Sequence, residues 1–198
     1  MDTIKRTVFG VGYSSEGPYK KTVNRKTTKA YANWQNMLKR CYCPKEHSRK
    51  PTYLNCTAVD EWHDYQAFAK WHEDNYIEGY QLDKDIVNPG NKIYGPNTCY
   101  YVPSQINNVL SDSKAIRGDL PQGVSLYKST GRYVVHIKER GKLKHLGYFE
   151  SIEEAAQVYK EAKEAYVKEI ANQWKGKIHA DVYNALMNWL LVIGFRIF

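Results

Sequence analysis

Acidic and amide side chains between residues 83 and 107 of this 198-residue chain have types and spacing that suit a hard metal ion. The run Tyr80 to Ile86 reads as a strand carrying Asp83 and Asp85 at its end, 87–94 as a turn-rich loop, and Gly95 to Pro103 as a second strand. Ser104 then caps a helix over Gln105 to Leu110. A carboxylate and an amide oxygen are suitable ligands for Mg²⁺, or Mn²⁺ in its place, and a strand, loop, strand and helix with acids at this point allow a compact metal-dependent nuclease geometry. Other ligand sets are weaker. Cys41 and Cys43 are separated by one residue and no second close pair accompanies Cys56 and Cys99, so a structural zinc site is disfavoured even with His47 nearby. His63 and His72 lie nine apart on an expected helix, about 180° around it, and cannot share a metal.

A second chemistry resides in residues 123–149. Three β-type runs, Gly123 to Tyr127, Arg132 to Glu139 and Lys144 to Phe149, are separated by the turn pairs Thr130-Gly131 and Arg140-Gly141. In the middle run Tyr133, Val135 and Ile137 alternate with Arg132, Val134, His136 and Lys138, giving one apolar face and one mostly polar and basic face. Lys128, Arg132, Lys138, Arg140, Lys142 and Lys144 stand against one acid, Glu139. Cations there would neutralise phosphates, while Tyr127, Tyr133, His136 and His145 would reach base edges, so double-stranded DNA is the expected partner.

The elements that must position these residues follow from periodicity. Ser151 with Glu154 three residues on is a capping-box signature, and Ala155, Tyr159, Ala162, Tyr166 and Ile170 form one stripe of a helix suited to lie on the sheet. Earlier, Ala30 to Tyr42 aligns Tyr31, Trp34, Met37, Leu38 and Cys41, and Asp60 to Asn75 aligns Trp62, Tyr65, Phe68, Ala69 and Trp71. The expected fold is α+β. Its parts are a loosely structured basic arm (1–29, seven basic residues against two acids), a helical region leading into the ββα unit (30–112), a linker (113–122), a three-stranded antiparallel sheet packed on a helix (123–175), and a helical extension (176–198) running through Val182, Leu186 and Trp189. A formal charge of +8 with 42% hydrophobic residues fits a folded protein with a polyanionic partner. No run approaches the roughly 20 apolar residues of a membrane span, so a soluble, cytoplasmic protein is expected.

The marks Gly123-Val124, Gly131-Arg132-Tyr133, His145-Leu146-Gly147-Tyr148-Phe149 and Glu153-Glu154-Ala155-Ala156 resemble the DNA-binding domain of plant ethylene-response factors, the Apetala-two type also found in phage homing endonucleases. The resemblance implies that three strands enter the major groove with the helix behind them. Ser125, Tyr127 and His145 stand where the plant proteins carry arginine or tryptophan, which puts the plant target sequence in doubt.

The unit 80–110 is similar to HNH endonucleases, and more closely to the phage and intron homing members; Trp34, Arg40-Cys41-Tyr42, Pro51-Thr52-Tyr53 and Trp62 point the same way. That resemblance implies Asp83 and Asn107 as metal ligands, Asn97 as the loop-fixing asparagine, and a phage-infected bacterial cell as the setting. Lys84 stands where the general-base histidine belongs. A lysine at its reference pKa of about 10.4 cannot take a proton from water, so Asp85 or a metal hydroxide would have to serve. Two functions follow: a Mg²⁺-dependent endonuclease targeted by the C-terminal sheet, or a catalytically inactive DNA-binding or regulatory protein that keeps the nuclease fold.

Overall fold

A computed structural model describes residues 7–111 and 119–192. The fold is α+β, as expected, with six α-helices and nine strands among those residues. The chain divides into two compact units, Met1–Ser104 and Gln105–Phe198.

In the first unit, helix α1 (Lys29–Tyr42) begins where the Thr28 hydroxyl accepts the Tyr31 N–H at 3.3 Å, and it buries Trp34, Met37, Leu38 and Cys41. A short helix α2 (Pro44–Arg49) and a 3₁₀ turn at Pro51–Tyr53 follow. The single helix expected over 60–75 is broken: a 3₁₀ turn spans Asp60–His63, and α3 (Tyr65–Asn75) starts afresh because the Asp64 carboxylate accepts the Gln66 N–H at 3.1 Å. Trp34, Trp62, Tyr65 and Phe68 form the heart of the core, and the Trp34 indole N–H donates to the Trp62 carbonyl at 2.8 Å. Such a buried ring contributes about 2–3 kcal/mol by area alone, and truncating Trp34 to alanine would cost about 3–5 kcal/mol.

Strands β4 (Tyr80–Asp83) and β6 (Tyr100–Pro103) pair antiparallel, with Asp83 opposite Tyr100. Two residues read as loop, Ile93–Tyr94, form β5 and pair in parallel with β3 (Thr57–Ala58), a pairing too short and too distant in sequence to show periodicity.

Residues 7–29 are not the loose arm expected from composition. Tyr13 N–H donates to the His63 carbonyl and the Tyr13 carbonyl accepts the Tyr65 N–H, both at 2.9 Å. Asp64 accepts from the Ser15 N–H at 3.0 Å and the Ser15 hydroxyl at 2.5 Å, and Gln66 bonds both backbone groups of Tyr19. Gly12 lets bare backbone lie on the core, since a Cβ there would meet Leu38 at 2.5 Å and Trp34 at 2.9 Å. The segment then forms a hairpin of β1 (Thr22–Val23) and β2 (Lys26–Thr27), turned by Asn24 and Arg25 at φ 49° and 60°, the positive values of a type I′ turn.

In the second unit β7 (Val124–Tyr127), β8 (Arg132–Glu139) and β9 (Lys142–Phe149) form an antiparallel sheet in that order, against helix α5 (Ile152–Gln173). The Ser151 hydroxyl caps α5, accepting the N–H groups of Glu153 and Glu154 at 3.2 and 3.3 Å. Ala155, Ala156, Tyr159, Tyr166, Val167 and Ile170 are buried; of the expected stripe only Ala162 is less so. Helix α4 (Ser104–Leu110) falls almost wholly in this unit, where Gln105 accepts the Trp174 indole N–H at 2.8 Å. Helix α6 (Ala180–Met187) is shorter than the extension expected over 176–198: it is capped by Asn188, and 193–198 lie outside the described residues, as do residue 112 and 113–118 of the expected linker.

Candidate nucleic-acid interface

Register assigns the faces of the C-terminal sheet. Val124, Val135, Ile137 and Gly147 lie on the side of α5, together with the pairs Tyr133–Phe149, Ile137–Lys144 and Glu139–Lys142. The other face holds Ser125, Tyr127, Arg132, Val134, His136, Lys138, Leu143, His145 and Tyr148. The alternation of β9 is interrupted once. Val135 pairs Gly147 and His136 pairs His145, so Leu146 is an extra residue, a β-bulge, and Gly147 takes φ 146°.

That bulge divides the expected cationic surface. Arg132 and Lys138 occupy the open face, whereas Lys142 and Lys144 fall in register with the helix side, Lys144 lying 3.5 Å from Glu139. Lys128 is exposed in the β7–β8 turn. Arg140, in the β8–β9 turn, is tied to the helix: its N–H donates to the Tyr166 hydroxyl at 2.7 Å and its guanidinium pairs with Glu169. Arg132 pairs with Glu150 at 2.6 Å. Tyr133 belongs to the helix side, not with the base-reading group.

The open face carries a feature that composition did not signal. Four rings form a continuous row: Tyr127 to Tyr148 at 5.5 Å, Tyr148 to His145 at 4.9 Å, His145 to His136 at 5.2 Å between centroids. Tyr127 and Tyr148 are 45% and 49% exposed, so nearly half of each is left for a planar partner. Arg132 and Lys138 flank the row in β8. The bulge makes this row, because it carries His145 and Tyr148, three residues apart, onto one face.

In the first unit Asp83 ends β4 with its Oδ1 accepting the N–H groups of Asp85 at 3.0 Å and Ile86 at 2.8 Å, which fixes the turn after the strand. Burial first, and then the neighbouring Asp85 carboxylate, hold the Asp83 pKa above the usual carboxylate value. Lys84 is buried, its ammonium 2.9 Å from Asp85 Oδ2 and over the Tyr94 ring at 5.7 Å. The loop beyond is fixed by Asn91, whose amide N–H groups donate to the carbonyls of Lys84 and Ile93 at 2.7 and 2.8 Å and whose Oδ1 accepts the Ile93 N–H. Asn97, expected to do this, is exposed in the turn before β6. Asn107 sits on α4, in the second unit.

These residues fit a hydrated magnesium ion poorly. One Asp83 oxygen is engaged by backbone, Asp85 is occupied by Lys84, and that ammonium already supplies the positive charge a dication would bring. Among the described residues no three His, Cys, Asp or Glu side chains group to hold a metal, and no helix is long and apolar enough to cross a membrane. No family model, curated protein or solved structure matches the chain.

Proposed function

We propose that this protein binds double-stranded DNA through the open face of β7–β9, and that the first unit is not catalytic. The observation carrying this reading is the exposed row Tyr127, Tyr148, His145, His136 flanked by Arg132 and Lys138. Cations set at the sides of planar polar rings suit an anionic backbone with base edges between. The ion pair of Arg132 with Glu150 is exposed and worth at most about 1 kcal/mol, so phosphate can replace the carboxylate. The non-catalytic part rests on Lys84: its ammonium is committed to Asp85 in the place of a base.

Fluorescence anisotropy with a duplex tests the binding. Affinity is to fall steeply with salt, and Arg132→Ala with Lys138→Ala is to weaken it at least tenfold with the fold intact; salt-insensitive binding removes the reading. Supercoiled plasmid in Mg²⁺ or Mn²⁺ is to stay intact. Metal-dependent nicking abolished by Asp83→Ala would restore the endonuclease reading. The exposed faces of Tyr127 and Tyr148 also favour a second partner, unpaired bases, since aromatic platforms stack them at about 1–3 kcal/mol each. Competition by a single strand stronger than by the duplex, lost in Tyr127→Ala and Tyr148→Ala, selects that reading.

A further inference from the structure

We propose that the β1–β2 hairpin with its two preceding lysines is a second duplex-DNA contact, on the first unit, made through phosphates. Lys20, Lys21, Arg25 and Lys26 are all exposed, and no described carboxylate lies within ion-pair distance of any of them. In the sheet, by contrast, three of the six cations, Arg132, Arg140 and Lys144, each have an acid of their own. Lys29, just beyond the hairpin, is also paired, with Glu78 at 3.4 Å. Four cations within seven residues with no counter-charge leave a local positive field that a polyanion relieves.

The hairpin is held at its base. The hydroxyl of buried Tyr65 donates to the Lys20 carbonyl at 3.1 Å, and the Thr28 N–H donates to the Lys21 carbonyl at 3.0 Å. A two-stranded ribbon is narrow enough to enter a major groove about 12 Å wide. Its apex is also informative. Asn24 suits a left-handed backbone, but Arg25 at φ 60° does not, and glycine is the favoured residue there. Arginine at an exposed, strained apex supports nothing in the fold that glycine would not support better. A phosphate or base-edge contact by the guanidinium accounts for it.

The test uses the full chain, a fluorescent duplex and a salt titration, and compares three variants. The hairpin variant combines Lys20→Gln, Lys21→Gln, Arg25→Gly and Lys26→Gln; the sheet variant combines Arg132→Ala and Lys138→Ala; the third is Arg25→Gly alone. The hairpin variant is expected to lose at least tenfold in affinity and to flatten the log–log salt slope by about 3 to 4, near 0.9 for each phosphate that the variant no longer neutralises. Arg25→Gly is expected to weaken binding severalfold while its thermal midpoint stays level or rises, an outcome that misfolding cannot imitate. Unchanged affinity and slope in both hairpin variants overturn the proposal. Loss in the hairpin variants with none in the sheet variant would remove the sheet reading and leave this one standing, and the reverse pattern would do the opposite.

Discussion

The ring of Tyr159 fills the space over the α-carbon of Gly123, so closely that any Cβ there would overlap it. Helix α5 and the start of β7 are thus matched without tolerance, at a residue whose φ of +77° is itself left-handed. Gly123→Ala combines backbone strain with overpacking and is expected to cost about 2–4 kcal/mol. Gly131→Ala, with φ +75° and open space around it, should cost only the strain, about 1 kcal/mol. Urea unfolding of both variants checks the difference; equal losses would show that the ring moves aside.

Lys84 and Asp85 are unequally placed, the ammonium buried and the carboxylate half exposed. Asp85→Ala strands a buried cation and is expected to destabilise by about 2–3 kcal/mol, below the range for a fully buried pair. Lys84→Met leaves a carboxylate that water can solvate, so its cost should be under about 1 kcal/mol. Reversal of that order in denaturant titrations would mean that Lys84 holds the loop in its own right.

His72 gives stability a pH dependence. Burial lowers its pKa from 6.5 to about 4, and its Nε2 lies 3.2 Å from the Asn33 amide nitrogen, which the neutral ring can accept from. Below the unfolded value the unfolded chain takes up a proton that the folded one does not, so stability falls as pH drops from 6.5 towards 4. At about 1.4 kcal/mol per pH unit, the loss is about 2–3 kcal/mol. Asp83 acts oppositely. With its folded pKa raised, stability is lost as pH rises above the ordinary carboxylate value and regained on acidification. Guanidinium titrations from pH 7 to 4.5 should show the decline in the native chain and a much flatter profile in His72→Phe.

Glu150 pairs with Arg132, and under the proposed duplex binding it would compete there with phosphate. Glu150→Gln removes the competitor and a like charge to the ligand, and duplex affinity is expected to rise about threefold at low salt, converging with the native value as ions screen the difference. An unchanged affinity would place Arg132 outside the interface.

Much of this fold could be read directly. Alternation along Arg132 to Glu139 and the Ser151 cap define β8 and α5 because each is a local signal, and Trp34, Met37 and Leu38 mark the buried side of α1 in the same way. Elements determined by distant partners were not legible. Nothing near residue 93 announces a parallel bridge to Thr57, and nothing in residues 7–29 reveals that Asp64 and Gln66 will hold that segment. The candidate site suffered from the same blindness. Counting lysines located the basic region, but one unpaired Leu146 decided which lysines share a face with Arg132, and the tyrosine–histidine row depends on that displacement.

Asp64 serves two masters, and this binds the amino-terminal ribbon to the fate of a helix. The carboxylate that begins α3 also clasps Ser15, so peeling the leading segment away would leave the cap with fewer partners, while melting the helix start would release the clasp. A ligand that pulls on the hairpin is therefore felt at the foot of α3, one residue from the Tyr65 ring that underpins both.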